Sequence, residues 1–196
     1  MNHRATELGI RALPLSAGGE SLYFGLAGSN STDGRATIDY LDPAKEEFLE
    51  YDVTKLIYQL ATVKKPVVAW LSSLPMSGGM DPMTGQPSEP WFVMVQAQEL
   101  FTVRNLDATI TSIDPDVDVL VLVHPKNLPP AALFAIDQYA LGGGHLLVFV
   151  DPDASQDTSA VEPNNPIAAM GADRSSNLEP LFKAWGVRYD PGEVVV

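Results

Sequence analysis

Cysteine is absent from the 196 residues, which excludes disulfides, thiolate metal ligands and cysteine nucleophiles and leaves the redox compartment open. Positive charge is scarce. Lys and Arg total 12 against 25 Asp and Glu, a formal net charge of -13, so most faces would repel a phosphate backbone or an anionic bilayer, and nucleic acid is not an expected partner. No run of roughly 18 uncharged apolar residues occurs, so nothing within the sequence is expected to span a bilayer. The opening MNHRATELGIRALPL lacks the apolar stretch of a secretory leader. The phosphate-binding string GxxxxGK[ST] is missing too, so the chain is not itself an ATPase of that type.

What is present is a foldable mixture: 45% of residues are apolar, enough to bury the core of one ordinary domain and part of a second. The first forty residues alternate short apolar runs with turn residues, which predicts an antiparallel hairpin from Ser21 to Tyr40 with Asp33-Gly34 in its turn. Asp42-Pro43 then offers an N-cap with proline at the first helical position, and Glu46 and Glu47 favour the positive end of the helix dipole. Phe48, Leu49, Val53, Leu56, Ile57 and Leu60 recur at three-to-four spacing as one apolar stripe, closed by Lys64-Lys65.

Three runs further on, PVVAWL (66–71), VDVLVLV (117–123) and HLLVFV (145–150), are apolar nearly throughout, the pattern of strands buried on both faces of a parallel sheet. Helical patterns lie between and after them, from about Pro90 to Phe101, from Pro129 to Leu141 before the stop Gly142-Gly143-Gly144, and around Leu178, Leu181, Phe182 and Trp185. NLDATITSI from Asn105 reads as one more strand, and GVRYDPGEVVV as a last strand cut at the end of the chain. The expectation is therefore a hairpin and helix over 1–62, the tail of a truncated preceding domain. An α/β domain with a three-layer, doubly wound, mostly parallel sheet follows over 63–196, itself cut short at its C-terminal end.

In open parallel sheets ligands gather beyond the carboxyl ends of the strands. That rule selects Ser72, Ser73 and the loop LPMSGGMDPMTGQPSEP after the first strand, His124, Lys126 and Asn127 after the second, and Asp151 and Asp153 after the third. Ser72, His124 and Asp151 could form a nucleophile, base and orienter, but Ser72 lacks the GxSxG elbow that presents a hydrolase serine. The preferred reading is that Ser72 and Asp151 cap turns. Asp151 and Asp153 alone make an incomplete shell for a hard cation. Met76, Met80 and Met83 are spaced as soft ligands would be, yet the surrounding glycines and prolines favour a long, mobile, partner-contacting loop in which Met76, Met80 and Asp81 meet a ligand or another subunit. Gly142 to Gly144 follow a helix rather than precede one, so they cap it and do not cradle phosphate. Asn30-Ser31-Thr32 matches the glycosylation triplet and is given no function. No metal or cofactor is expected.

Five strings taken together, YFGLAGSNSTDGR, EEFLEYDVTKLIYQLA, KKPVVAWLSSLPMSGGMDPMTGQ, VDVLVLVHPKNLPPAALFAIDQYALGGGHLLVFVDP and LFKAWGVRYDPGEVVV, resemble the auxiliary components of uncharacterised ABC-type transport systems related to gliding-motility proteins of the GldG type. The resemblance implies a glutamine-amidotransferase-like fold without its cysteine, hence no catalytic residues to carry over. It implies partnership with an ABC ATPase and a permease, a periplasmic position beside the membrane, and anchors outside these residues. On this reading the chain is a non-catalytic binding or coupling module that could take a small-molecule or peptide substrate. The alternatives are a serine hydrolase using Ser72, His124 and Asp151, or an architectural domain that only docks partners.

Overall fold

The computed structural model describes residues 2–15, 20–80, 85–157 and 173–191. The chain divides into two compact units, 1–65 and 66–196.

In the first unit a short helix, α1 (Asn2–Glu7), precedes two small antiparallel pairs. β1 (Ala12–Pro14) pairs with β2 (Ser21–Tyr23), and β3 (Leu26–Ser29) with β4 (Arg35–Ile38). The expected single hairpin is thus shorter, and Ser21–Tyr23 belongs to the other pair. Its turn is held by Asn30, whose side-chain oxygen accepts from the Thr32 and Gly34 N–H groups while Asp33 takes a left-handed φ of 61°. Asp42 caps as expected, its carboxylate accepting the Ala44 N–H at 3.0 Å. The segment it starts is a 3-10 helix (Pro43–Phe48), and α2 (Leu49–Ala61) begins only after the non-helical Lys45. That late start rotates the stripe: Leu56 is buried, whereas Phe48, Leu49 and Ile57 are exposed. Gly28 lets α2 lie close to β3, since a Cβ there would stand 2.6 Å from Leu60 Cδ1.

The second unit is built on a four-stranded parallel sheet of β5 (Val67–Ser72), β8 (Thr102–Asn105), β9 (Val119–Val123) and β10 (His145–Phe149), in the order β10-β9-β5-β8. From β5 the chain steps outward to β8, then returns past β5 to β9 and β10, so the winding reverses between β5 and β9. Between β5 and β8 lie a two-stranded hairpin of β6 (Gly79–Met80) and β7 (Pro87–Ser88) and the helix α3 (Phe92–Leu100). α4 (Pro130–Leu141) links β9 to β10, and α5 (Glu179–Trp185) follows. Ile136 of α4 and Leu181 and Phe182 of α5 pack with Leu71, Leu120 and Leu122 in one core cluster. Met94 of α3 is fully buried but belongs to no part of that cluster, as expected if right-handed crossovers place α3 on the opposite face.

Three expectations need correction. The strand near residue 105 lies earlier, at 102–105, because the Asp107 carboxylate accepts the Thr109 N–H and hydroxyl and turns the chain; Leu106, Ile110 and Ile113 still pack on the core, but from an irregular crossover. Those two bonds hold the Asp107 carboxyl below its ordinary range. β10 is not buried on both faces: as the end strand of the described sheet it alternates, with His145, Leu147 and Phe149 exposed. The loop after β5 carries the β6–β7 hairpin, and its described part is anchored by Met76, which is 4% exposed and whose carbonyl accepts the Trp91 N–H. The terminal strand expected beyond residue 191 lies outside the described residues.

All three tryptophans, Trp70, Trp91 and Trp185, fall in the second unit, so their fluorescence reports its unfolding within the full chain. Leu122, 0% exposed, should cost roughly 2–5 kcal/mol when cut to alanine, read as a shift of the denaturant midpoint. Gly186 closes α5 at a φ of 71°, with open space where a Cβ would stand. Gly186→Ala should cost about 1–2 kcal/mol through backbone strain alone.

Candidate functional site

The carboxyl ends of β5 and β9 stand side by side, with Ser72 in register with Val123. This is the point where the winding reverses and where an open sheet usually leaves a crevice. Here the crevice is bridged. The Lys126 N–H donates to Ser73 Oγ at 3.2 Å, and Ser72 Oγ accepts the Leu74 N–H at 3.0 Å, so both hydroxyls serve the backbone of their own edge.

The chain turns sharply as it leaves β9. His124 and Asn127 both take left-handed backbone angles, φ 48° and 53°, around the fully buried Pro125. Such conformations cost roughly 1–2 kcal/mol each and persist only when surrounding bonds over-determine them. The bonds are visible: the His124 N–H donates to Phe149 O, and Pro125 O accepts the Asn177 N–H.

Beneath this turn lies a buried trio. His124 Nε2 is 3.2 Å from Asp157 Oδ2, and Lys126 Nζ donates to the same oxygen at 2.7 Å. The side chains of His124, Asp157 and Lys126 are 2%, 1% and 15% exposed. A carboxylate oxygen only accepts, so a neutral His124 carries its hydrogen on Nε2, which leaves Nδ1 as a bare acceptor; Nδ1 is buried with no hydrogen-bond partner. Lys126 Nζ also donates to the main-chain oxygen of Asp173. One ammonium therefore ties the end of β9 to two arms, 151–157 and 173–177. The arms are joined to each other as well, through Ala154 N–H to Arg174 O, Ser176 N–H to Asp151 O, and an Arg174–Asp153 ion pair at 2.9 Å.

Of the residues selected from sequence, the structure brings together Ser73, His124 and Lys126. It does not bring Asp151 to the histidine: the Asp151 carboxylate accepts the Asp153 N–H at 2.9 Å, a local turn, and Asp153 faces Arg174. Among the described residues no serine reaches His124 Nδ1, and the Ser72–His124–Asp151 arrangement is not assembled. Met76 is buried and Met80 is 71% exposed, so these two do not share one environment; Asp81 and Met83 lie outside the described residues. Asn127 contributes a turn conformation. In the glycosylation triplet, Asn30 Nδ2 donates to Leu60 O at 2.8 Å. Sequence reasoning missed Asp157. The only cue was a third carboxylate, six residues after Asp151, in a stretch read as turns.

These features define a parallel-sheet α/β unit whose carboxyl edge is closed by internal polar bonds. Residues 65–196 match the model of a family described as ABC-type uncharacterized transport system, and the chain belongs to that family, in keeping with a transporter-associated role. No curated protein and no solved structure matches it.

Asp173 allows a direct test of the arm geometry. The Ser175 hydroxyl and N–H both donate to its carboxylate and hold it below the ordinary range. Ser175→Ala should raise the Asp173 midpoint in a carboxylate NMR titration. The interaction contributes stability above the unfolded carboxyl value of about 3.9 and loses it as pH falls through the folded value, so wild type and variant should converge in strong acid.

Proposed function

We propose that the second unit is a non-catalytic coupling module of an ABC-type transport assembly, held on the extracytoplasmic face of the membrane by segments outside this sequence. Its carboxyl-edge loops would meet the permease or ATPase-linked subunits. The observation that carries this reading is the Asp157 carboxylate, which engages His124 and Lys126 together. With that bond made, the histidine faces no serine among the described residues, and the polar groups of the edge hold loops in place. A glutamine-amidotransferase-like fold fits the order of strands and helices, and a gliding-motility relationship of the GldG type remains part of the same proposal. What the loops bind, a subunit or a small molecule or peptide, is the finer part of it.

Two measurements test this reading. The purified chain should show no ester or amide turnover above buffer, and turnover that disappears in Ser72→Ala would restore the hydrolase alternative. Photo-crosslinking groups placed at the exposed Met80 and Ser155, in cells producing the neighbouring ATPase and permease, should capture those subunits, while one at Thr102 near the amino end of the sheet should not. Equal capture from all three positions, or none, would defeat the docking assignment.

A further inference from the structure

We infer that a cavity beside α5 is a binding site for a small apolar zwitterion of the amino acid or short-peptide type. The cavity measures about 770 Å³, within the range that holds small ligands, and lies between α5 and the segment 187–191 of the second unit. Its described lining divides by chemistry. Phe182, Val187 and Tyr189 supply an apolar wall, in which the Phe182 and Tyr189 rings meet edge to face with centroids 6.1 Å apart. Glu179, Lys183 and Arg188 supply charge.

Those three charges are unused within the chain. Glu179 and Lys183 stand one helical turn apart, in the order that favours an ion pair, yet none joins them, and the Arg188 guanidinium has no partner among the described residues. Arg104, Lys126 and Arg174, by contrast, are each paired with a carboxylate. Asp190 also lines the cavity but is already engaged. The Tyr189 hydroxyl is buried with no hydrogen-bond partner, a costly state for a donor. Burial, and then the carboxylates of Asp151 and Asp190, push this phenol above its ordinary value, so it keeps its hydrogen at neutral pH. A ligand that uses the whole set carries an anion for Lys183 and Arg188, a cation for Glu179 and apolar surface for the wall. The field of the chain favours the same class, because a net charge of -13 repels a simple anion but not a molecule whose own charges cancel. Salt screens the distant carboxylates beyond roughly 8 Å, so the three local charges decide the orientation. The site goes beyond the coupling reading and does not rest on it.

NMR titration of the full chain with leucine, and separately with the dipeptide leucyl-leucine, tests the assignment. At least one probe should give saturable shifts of the Val187, Arg188 and Tyr189 amides while those of Leu120 and Leu122 in the sheet stay in place. N-acetylleucine lacks the ammonium and leucine amide lacks the carboxylate, so each should bind about tenfold more weakly than leucine, the usual scale for losing one charge-assisted bond. Glu179→Gln should abolish the preference over N-acetylleucine, and Lys183→Gln or Arg188→Gln the preference over leucine amide. Lys45→Gln, in the first unit, should change neither. All four side chains are exposed, so the folds should persist, and the comparison of analogues on wild type needs no variant. The absence of saturable shifts from both probes, equal binding of leucine and its two analogues, or shifts that survive the Lys183→Gln/Arg188→Gln double change would overturn the site. The tighter of the two probes distinguishes a free amino acid from a peptide. Failure here with successful crosslinking at Met80 would leave the coupling reading standing.

Discussion

One carboxylate oxygen, Asp157 Oδ2, organises the carboxyl edge of this protein. It lies within 3.2 Å of His124 Nε2 and 2.7 Å of Lys126 Nζ, in surroundings that exclude nearly all water. Burying three ionisable groups is unfavourable unless each finds a partner, so the turn after β9 and the two arms are drawn into whatever arrangement satisfies that oxygen. The left-handed angles at His124 and Asn127 lie in the same turn, held by the backbone bonds of His124 to Phe149 and of Asn177 to Pro125. The closure of the crevice follows as well, because the turn that brings Lys126 Nζ to Asp157 also brings its N–H to Ser73.

The division between legible and hidden features follows sequence separation. β5 and β9 were readable because both faces of a central parallel strand must be apolar, α4 because proline marks its start and glycine its end, and α5 because Leu178, Leu181, Phe182 and Trp185 recur at helical spacing. β8 was misplaced: its four residues follow directly on α3, and nothing local distinguishes Thr102–Asn105 from the apolar residues after it until the Asp107 turn is seen. β10 has the composition of a buried strand, but its place at the end of the order decides its exposure.

The site shows the same limit more sharply. His124, Lys126 and Ser73 could be selected because strand ends are predictable. Asp157 could not, since its bonds to His124 and Lys126 span 33 and 31 residues, and no period or motif encodes them. An Asp-rich stretch reads as turns until the fold shows which of its carboxylates is turned inward. The methionine spacing was rightly discounted in favour of a loop: regular spacing carries over to geometry only inside a regular element, and Met76 and Met80 stand on either side of a left-handed glycine, Gly78.

β10 also bears on colloidal behaviour. Its outer residues Leu147 and Phe149 are 48% and 52% exposed on a strand that holds no lysine, proline or bulge to discourage another chain from aligning with it. A net charge of -13 supplies the repulsion instead. That repulsion is shortened to roughly 8 Å by salt at physiological strength and vanishes near the isoelectric point of about 4.4. Acidic or high-salt solutions therefore weaken the repulsion that keeps such exposed apolar side chains of neighbouring molecules apart.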